Sequence, residues 1–193
     1  MRRRVLGMPS AMGASEQIGS PAGGVRLTAA EIFAVAVQTG EDELKRSSAG
    51  LALSGLAAGL GMGLTGLGSA TILVATGGNS PSAELLAALL YPLGFIVVIV
   101  GRAQLFTENT LFPVILALDR RRHVRNTLRL WAVVFGANVI GALLFAVLAM
   151  KTSALSPQLR SSLSELGHRT TEGSFGHIFW AGVIGGWIIA LMA

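Results

Sequence analysis

The 193-residue chain has no cysteine, so neither a disulfide framework nor thiolate chemistry is open to it. Charge is scarce: 13% of residues are Asp, Glu, Lys or Arg, where soluble domains carry about a quarter. Histidine occurs three times, as His123, His168 and His177. None of them shares a spacing with another His, Asp or Glu that makes a metal site, so neither metal nor cofactor is expected. Against these absences, 52% of the residues are apolar and the mean hydropathy is +0.64. That places the chain in the membrane class, and one helical bundle is the expected architecture. The formal charge of +5 suggests nucleic acid at first sight. Arginines flanking membrane spans account for it more simply, and no nucleic-acid partner is expected.

One polar stretch organises the rest. Gly101-Arg-Ala-Gln-Leu-Phe-Thr-Glu-Asn-Thr110 lies between apolar runs at 85–100 and 111–118. Neither run alone reaches the roughly 20 residues that a span requires. Joined, they make one discontinuous segment, 85–118, broken at 101–110 near the bilayer midplane. Non-helical backbone at that depth is tolerated only where protein covers it or a cavity holds water. Transporters build substrate sites from such breaks.

The remaining chain divides readily. Residues 1–27 are rich in Gly, Ser and Pro without periodicity, and are read as a disordered tail. Thr28 and Glu31 fit a capping box opening an amphipathic helix over 28–46. That helix lies on the cytoplasmic membrane surface or packs on the bundle. The transmembrane domain is 47–193, with spans at about 49–76, 85–118, 128–150 and 175–193. Gly55, Gly59 and Gly63 repeat every fourth residue and offer one face to a neighbouring helix. Gly61-Met-Gly-Leu-Thr-Gly66 matches a dinucleotide fingerprint. It sits inside an apolar run, without the preceding strand that such a site needs, so helix packing is the better reading and an enzyme is not expected.

Residues 1–46 hold six Arg or Lys, the turn near Gly77 none, 119–129 five, and the longer 151–177 connection three. The alternation puts the N-terminus and the arginine loop in the cytoplasm. Within the membrane, Arg102, Glu108, Asn109 and Asn138 require a reason. Arg102 and Glu108 form a buried ion pair that structures the loop, or they serve function. Asn138 hydrogen-bonds a neighbouring helix or the loop backbone. If Leu111 opens the second half-helix, its free N–H groups face Thr107 and Glu108 and offer an anion site.

Leu105-Phe-Thr107 after a Gly-rich helix, an arginine-rich loop, and Trp131-x6-Asn138-x-x-Gly141-Ala-Leu-Leu-Phe145 resemble the formate/nitrite transporter family. The Gly101-to-Asn109 form is similar to a less characterised branch, and residues 175–193 resemble the family's fourth helix. The resemblance implies an aquaporin-like fold of six helices, a pentamer in the bacterial inner membrane, and a pore in each protomer. Small monovalent anions such as formate or nitrite pass as the anion or the neutral acid. Thr107, Leu105, Phe106 and Tyr91 fall at loop and constriction positions. The departures are Leu130 before Trp131, Gly186 in the fourth helix, and Arg169 near a position that usually holds Lys. The fifth and sixth helices and the pore histidine have no counterpart, so about four of six segments are expected. The alternative to a conducting protein is a truncated, non-conducting fragment, or a half-protein that needs a partner chain.

Overall fold

The computed structural model describes residues 28–78, 80–109, 113, 114, 116 and 124–192, with side chains to residue 189. The expected tail at 1–27, the opening of the second half-helix at Leu111 and the arginine loop at 119–123 lie outside them. Among the described residues the fold is all helix. It comprises α1 (Ala29–Lys45), α2 (Ser48–Ala75), α3 (Pro81–Leu89), α4 (Leu93–Val100), α5 (Val124–Lys151), α6 (Pro157–Thr171) and α7 (Phe175–Met192). Three segments, Ser48–Ala75, Pro81–Val100 and Val124–Lys151, are long and apolar enough to cross a membrane. The chain is thus an all-α membrane protein.

Local signals start most of these helices. The Thr28 hydroxyl accepts from Glu31 N, and the Glu31 carboxylate accepts from Thr28 N at 2.7 Å, closing the capping box of α1. Ser47, Ser80 and Ser156 cap α2, α3 and α6 in the same way. Pro92 divides the second span a first time, because it lacks an N–H and disfavours helical backbone at Tyr91. Leu90 N, Tyr91 N and Leu93 N bond three residues back across that kink. The span stops again at Val100, and residues 101–109 are non-helical.

α2 is the hub, packed against α5, α4, α3 and α6. Lipid is as apolar as leucine, so burial does little to hold spans together; close backbone approach and hydrogen bonds do. Glycine supplies the approach. A Cβ on Gly59 would overlap the Asn138 carbonyl, and one on Gly141 would overlap that of Leu56. A Cβ on Gly55 would lie 2.9 Å from Ala137 Cβ, and one on Gly63 would strike the Phe145 ring. Gly55, Gly59, Gly63 and Gly141 therefore bring α2 and α5 into backbone contact. Gly61 faces Val98 and Gly66 faces Leu163, so the fingerprint-like run packs helices on two further sides. Between α2 and the second span, Ser69 Oγ donates to Ala87 O at 3.0 Å and Gly94 N donates to Thr65 Oγ1 at 3.2 Å.

Two elements differ from a reading by hydropathy. The polar 151–176 connection contains α6, a 15-residue helix with no buried residue. It packs along α2 and pairs Arg169 with Glu165 at 3.0 Å and with Glu84 at 3.3 Å. Apart from His177, α7 is apolar, yet none of its described side chains is buried and it has no substantial packing with the other described helices.

Candidate functional site

The non-helical segment 101–109 is wedged between α2, α4 and α5. Asn138, inside α5, holds it through three bonds. Its Oδ1 accepts from Phe106 N at 2.8 Å, and its Nδ2 donates to Gln104 O at 2.9 Å and to Gly55 O at 2.8 Å. One amide side chain thus satisfies loop backbone on both sides of Leu105 and ties it to α2. Ser54 Oγ of α2 accepts from Gln104 N at 3.1 Å. Inside the segment, Glu108 N and Asn109 N bond back to Leu105 O, making one tight turn. The buried Asn109 and Gln104 side chains bond each other, Nδ2 donating to Oε1. Exposed backbone polar groups are costly at membrane depth, and this network answers that demand.

The side chains of the segment separate by direction. Leu105 is buried beside Ala58 and Val98. Phe106 turns toward α5, edge-on to Phe135 at 5.2 Å and to Trp131 at 6.3 Å between ring centres. Thr107 is exposed. Tyr91 stands at the Pro92 kink, 58% exposed, with its ring 6.3 Å from that of Phe95. It reaches the Leu105 cluster only through Phe95, and the structure does not bring it to the segment.

Arg102 and Glu108 do not form an ion pair among the described residues. They line one cavity of about 350 Å³ between the segment and α1. Arg102 has φ 49°, the sole positive φ outside glycine among the described residues. α1 is held over this cavity by Arg129 of α5, whose Nη2 donates to Leu44 O at 2.8 Å and Arg46 O at 3.1 Å. A larger and more open cavity, about 620 Å³, lies at the far end between α2 and α6. There Arg169 is engaged by its two carboxylates.

Sequence reasoning passed over Ser54, Thr65, Gln104 and Arg129. The signal was present for the first two, since a hydroxyl in an apolar span seeks a partner on a neighbouring helix. No described trio of His, Cys, Asp or Glu is placed to hold a metal.

A helical bundle whose second span, Pro81–Val100, ends in a hydrogen-bonded non-helical segment beside a polar cavity defines an all-α membrane protein with a candidate polar site. Comparison with known proteins narrows that class. The formate/nitrite transporter family model matches residues 30–193, and the chain belongs to that family. It is 34% identical over 157 residues to the inner membrane protein YfdC of Escherichia coli (strain K12), covering 80% of this chain and 50% of YfdC. It is 32% identical over 114 residues to the uncharacterized transporter YwcJ of Bacillus subtilis (strain 168), covering 58% of this chain and 44% of YwcJ. The chain spans about half the length of these curated relatives.

Proposed function

We propose that this chain forms a channel or transporter for small monovalent anions of the formate and nitrite type, acting in the bacterial inner membrane. The observation that carries the proposal is the segment 101–109, which follows the apolar span Pro81–Val100 and is held non-helical by Asn138. A polar non-helical segment beside an apolar span is costly to keep, and a solute path is a reason to keep it. Family membership and the names of the relatives support transport over catalysis. Leu105 is the apolar step on the path, Phe106 braces it against α5, Thr107 faces the solute, and Asn109 helps to hold the loop. Tyr91 acts at the opposite mouth. The N-terminus is cytoplasmic by the distribution of positive charge, and five protomers assemble, as the resemblance implies.

A second reading has its own support. α7 is largely apolar, carries Phe175 84% exposed, and has no substantial packing with the other described helices. It is the face that a further chain or segment covers, so that a complete pore needs more than this chain. Reconstitution in lipid vesicles tests both readings at once. Formate or nitrite flux from the chain alone, with a native mass of five protomers, supports the first. A monomeric mass with no flux, restored by a co-expressed partner, supports the second. No flux under any pairing refutes transport.

A further inference from the structure

The start of α5 lies at the end of the bundle that carries α1, and it holds three buried polar atoms without a hydrogen-bond partner: Thr127 Oγ1, Arg129 Nε and Trp131 Nε1. Among the described residues no other buried side-chain nitrogen or oxygen lacks one. Arg129 Nε and Trp131 Nε1 can only donate, and a threonine hydroxyl donates as readily as it accepts. What all three lack is therefore an acceptor.

Thr127 shows the demand most plainly, because it is 4% exposed. Elsewhere Thr39, Thr71, Thr152 and Thr170 donate to the carbonyl four residues back. Thr127 is the fourth residue of α5, so that carbonyl precedes the helix, and the hydroxyl needs a partner from outside it. Arg129 has met its protein partners: Nη2 donates to Leu44 O and Arg46 O, and Nη1 to Ser48 Oγ at 3.5 Å. Its Nε is left over. Trp131 lies one turn deeper than Thr127, packed against Phe106 and the Leu44–Leu51 cluster.

The surrounding charge is of one sign. α2 and α5 both begin at this end, and neither has an acidic residue in its first turn. Each presents free backbone N–H groups and the positive end of its dipole. Arg125 and Arg129 stand one turn apart on one face of α5, and long side chains lean toward the helix N-terminus, which brings Arg129 back toward Arg125. Like charges at that spacing repel unless something negative lies between them. No described carboxylate pairs with either. The missing acceptor is thus an anion. On the outer side of the same turns Val124 is 47% exposed and Leu128 57%. A phosphate joined to acyl chains meets both the charge and this apolar surface, whereas a free anion meets only the charge.

We propose that the start of α5 is a headgroup site for an anionic phospholipid of the leaflet on the α1 side, its phosphate held by Arg125, the Arg129 Nε–H and the Thr127 hydroxyl. Reaching the two covered atoms requires side chains of the first turn to part, and Arg125, Asn126 and Ser48 are exposed and have room to do so. The Arg129 guanidinium also holds the Leu44 and Arg46 carbonyls, so a bound phosphate fixes the group that ties α1 to the bundle. Lipid composition then sets how firmly α1 is held. The inference needs the chain to span a membrane and does not rest on the transport reading.

The test uses the whole chain in bilayer discs of phosphatidylcholine, with and without phosphatidylglycerol. Amide exchange is read over residues 44–48, and lipid retention by native mass. Phosphatidylglycerol is expected to slow exchange at 44–48 about tenfold, the effect of one charge-assisted contact. Arg125→Gln and Thr127→Val should each lose most of that slowing. Thr127→Val keeps the shape and removes an unpartnered hydroxyl, so in phosphatidylcholine alone it should be as stable as the wild type or more so. A purely structural threonine would not give that pairing of kept stability and lost lipid response. Lys151→Gln, at the opposite end of α5, should keep the full response. Slowing that survives both Arg125→Gln and Thr127→Val overturns the site and leaves only diffuse attraction to the leaflet. Inorganic phosphate that slows exchange equally in phosphatidylcholine discs overturns the lipid as the source of the phosphate. Phosphatidylglycerol retained no better than phosphatidylcholine, with no slowing, overturns the proposal outright. Preferential retention without slowing overturns the link to α1 and supports the headgroup site.

Discussion

Replacing Asn138 by Leu removes three hydrogen bonds while keeping the branched side-chain skeleton. The Gly55 carbonyl retains its helical partner, so the groups left unsatisfied are Phe106 N–H and Gln104 O. An orphaned buried backbone group costs about 1–3 kcal/mol, and polar bonds between spans average nearer 0.6 kcal/mol. Two orphans and the lost tie to α2 together give about 2.5–6.5 kcal/mol. Reversible unfolding in detergent measures the global term. Amide exchange at Phe106 measures the local one, and a loss of about 2 kcal/mol there accelerates exchange roughly thirtyfold at 1.4 kcal/mol per decade. Asn138→Asp separates acceptor from donors: its carboxylate still accepts from Phe106 N but faces two carbonyl oxygens, so it should cost at least as much as Leu. Asn138→Leu costing under about 1 kcal/mol, with Phe106 as protected as in the wild type, would refute the assignment of this side chain as the clamp.

Gly59→Leu forces a side chain into the Asn138 backbone, which cannot yield as a flexible side chain can. Overpacking costs about 1–3 kcal/mol in ordinary cores and should reach the upper end here, while Gly136→Ala, with nothing within 4 Å of its added Cβ, should be neutral or slightly stabilising. Equal stabilities for the two variants would contradict the close α2–α5 crossing. The Thr28 N–H, and then its hydroxyl, hold the Glu31 carboxyl below its ordinary value of 4.5. A carboxyl whose pKa falls on folding stabilises fully above that value and loses its contribution as pH drops through the lower, folded value. The first turn of α1 should therefore lose protection, measured against its intrinsic exchange rate, as pH falls below about 4.5, and Glu31→Gln, whose amide oxygen still accepts from Thr28 N, should lack that pH step.

Sequence and structure agree most where lipid dictates the answer. Apolar runs as long as Ser48–Ala75 and Val124–Lys151 have few alternatives to a spanning helix, and the family follows from motifs inside them. The spacing of Gly55, Gly59 and Gly63 marks a close-packing face, but spacing carries no address. Only the structure shows that this face meets α5, while Gly61 meets α4 and Gly66 meets α6. Hydropathy also passes over α6, because a polar helix at the membrane edge looks like a loop; Ser156-Pro157, a cap followed by proline at the first helical position, was the legible sign. Arg102 and Glu108 show the limit most clearly. Read as letters, opposite charges six residues apart invite pairing, and an ion pair is the economical explanation for both. Whether they meet depends on the path of the intervening backbone. A left-handed Arg102 and the tight turn onto Leu105 O set that path, and no residue pattern encodes either. Asn138 differs because its demand is stoichiometric. An amide in a span has one acceptor and two donor hydrogens to satisfy, and a broken helix nearby has spare backbone groups of both kinds. The sequence can therefore say that the two belong together, while the assignment of each bond needs coordinates.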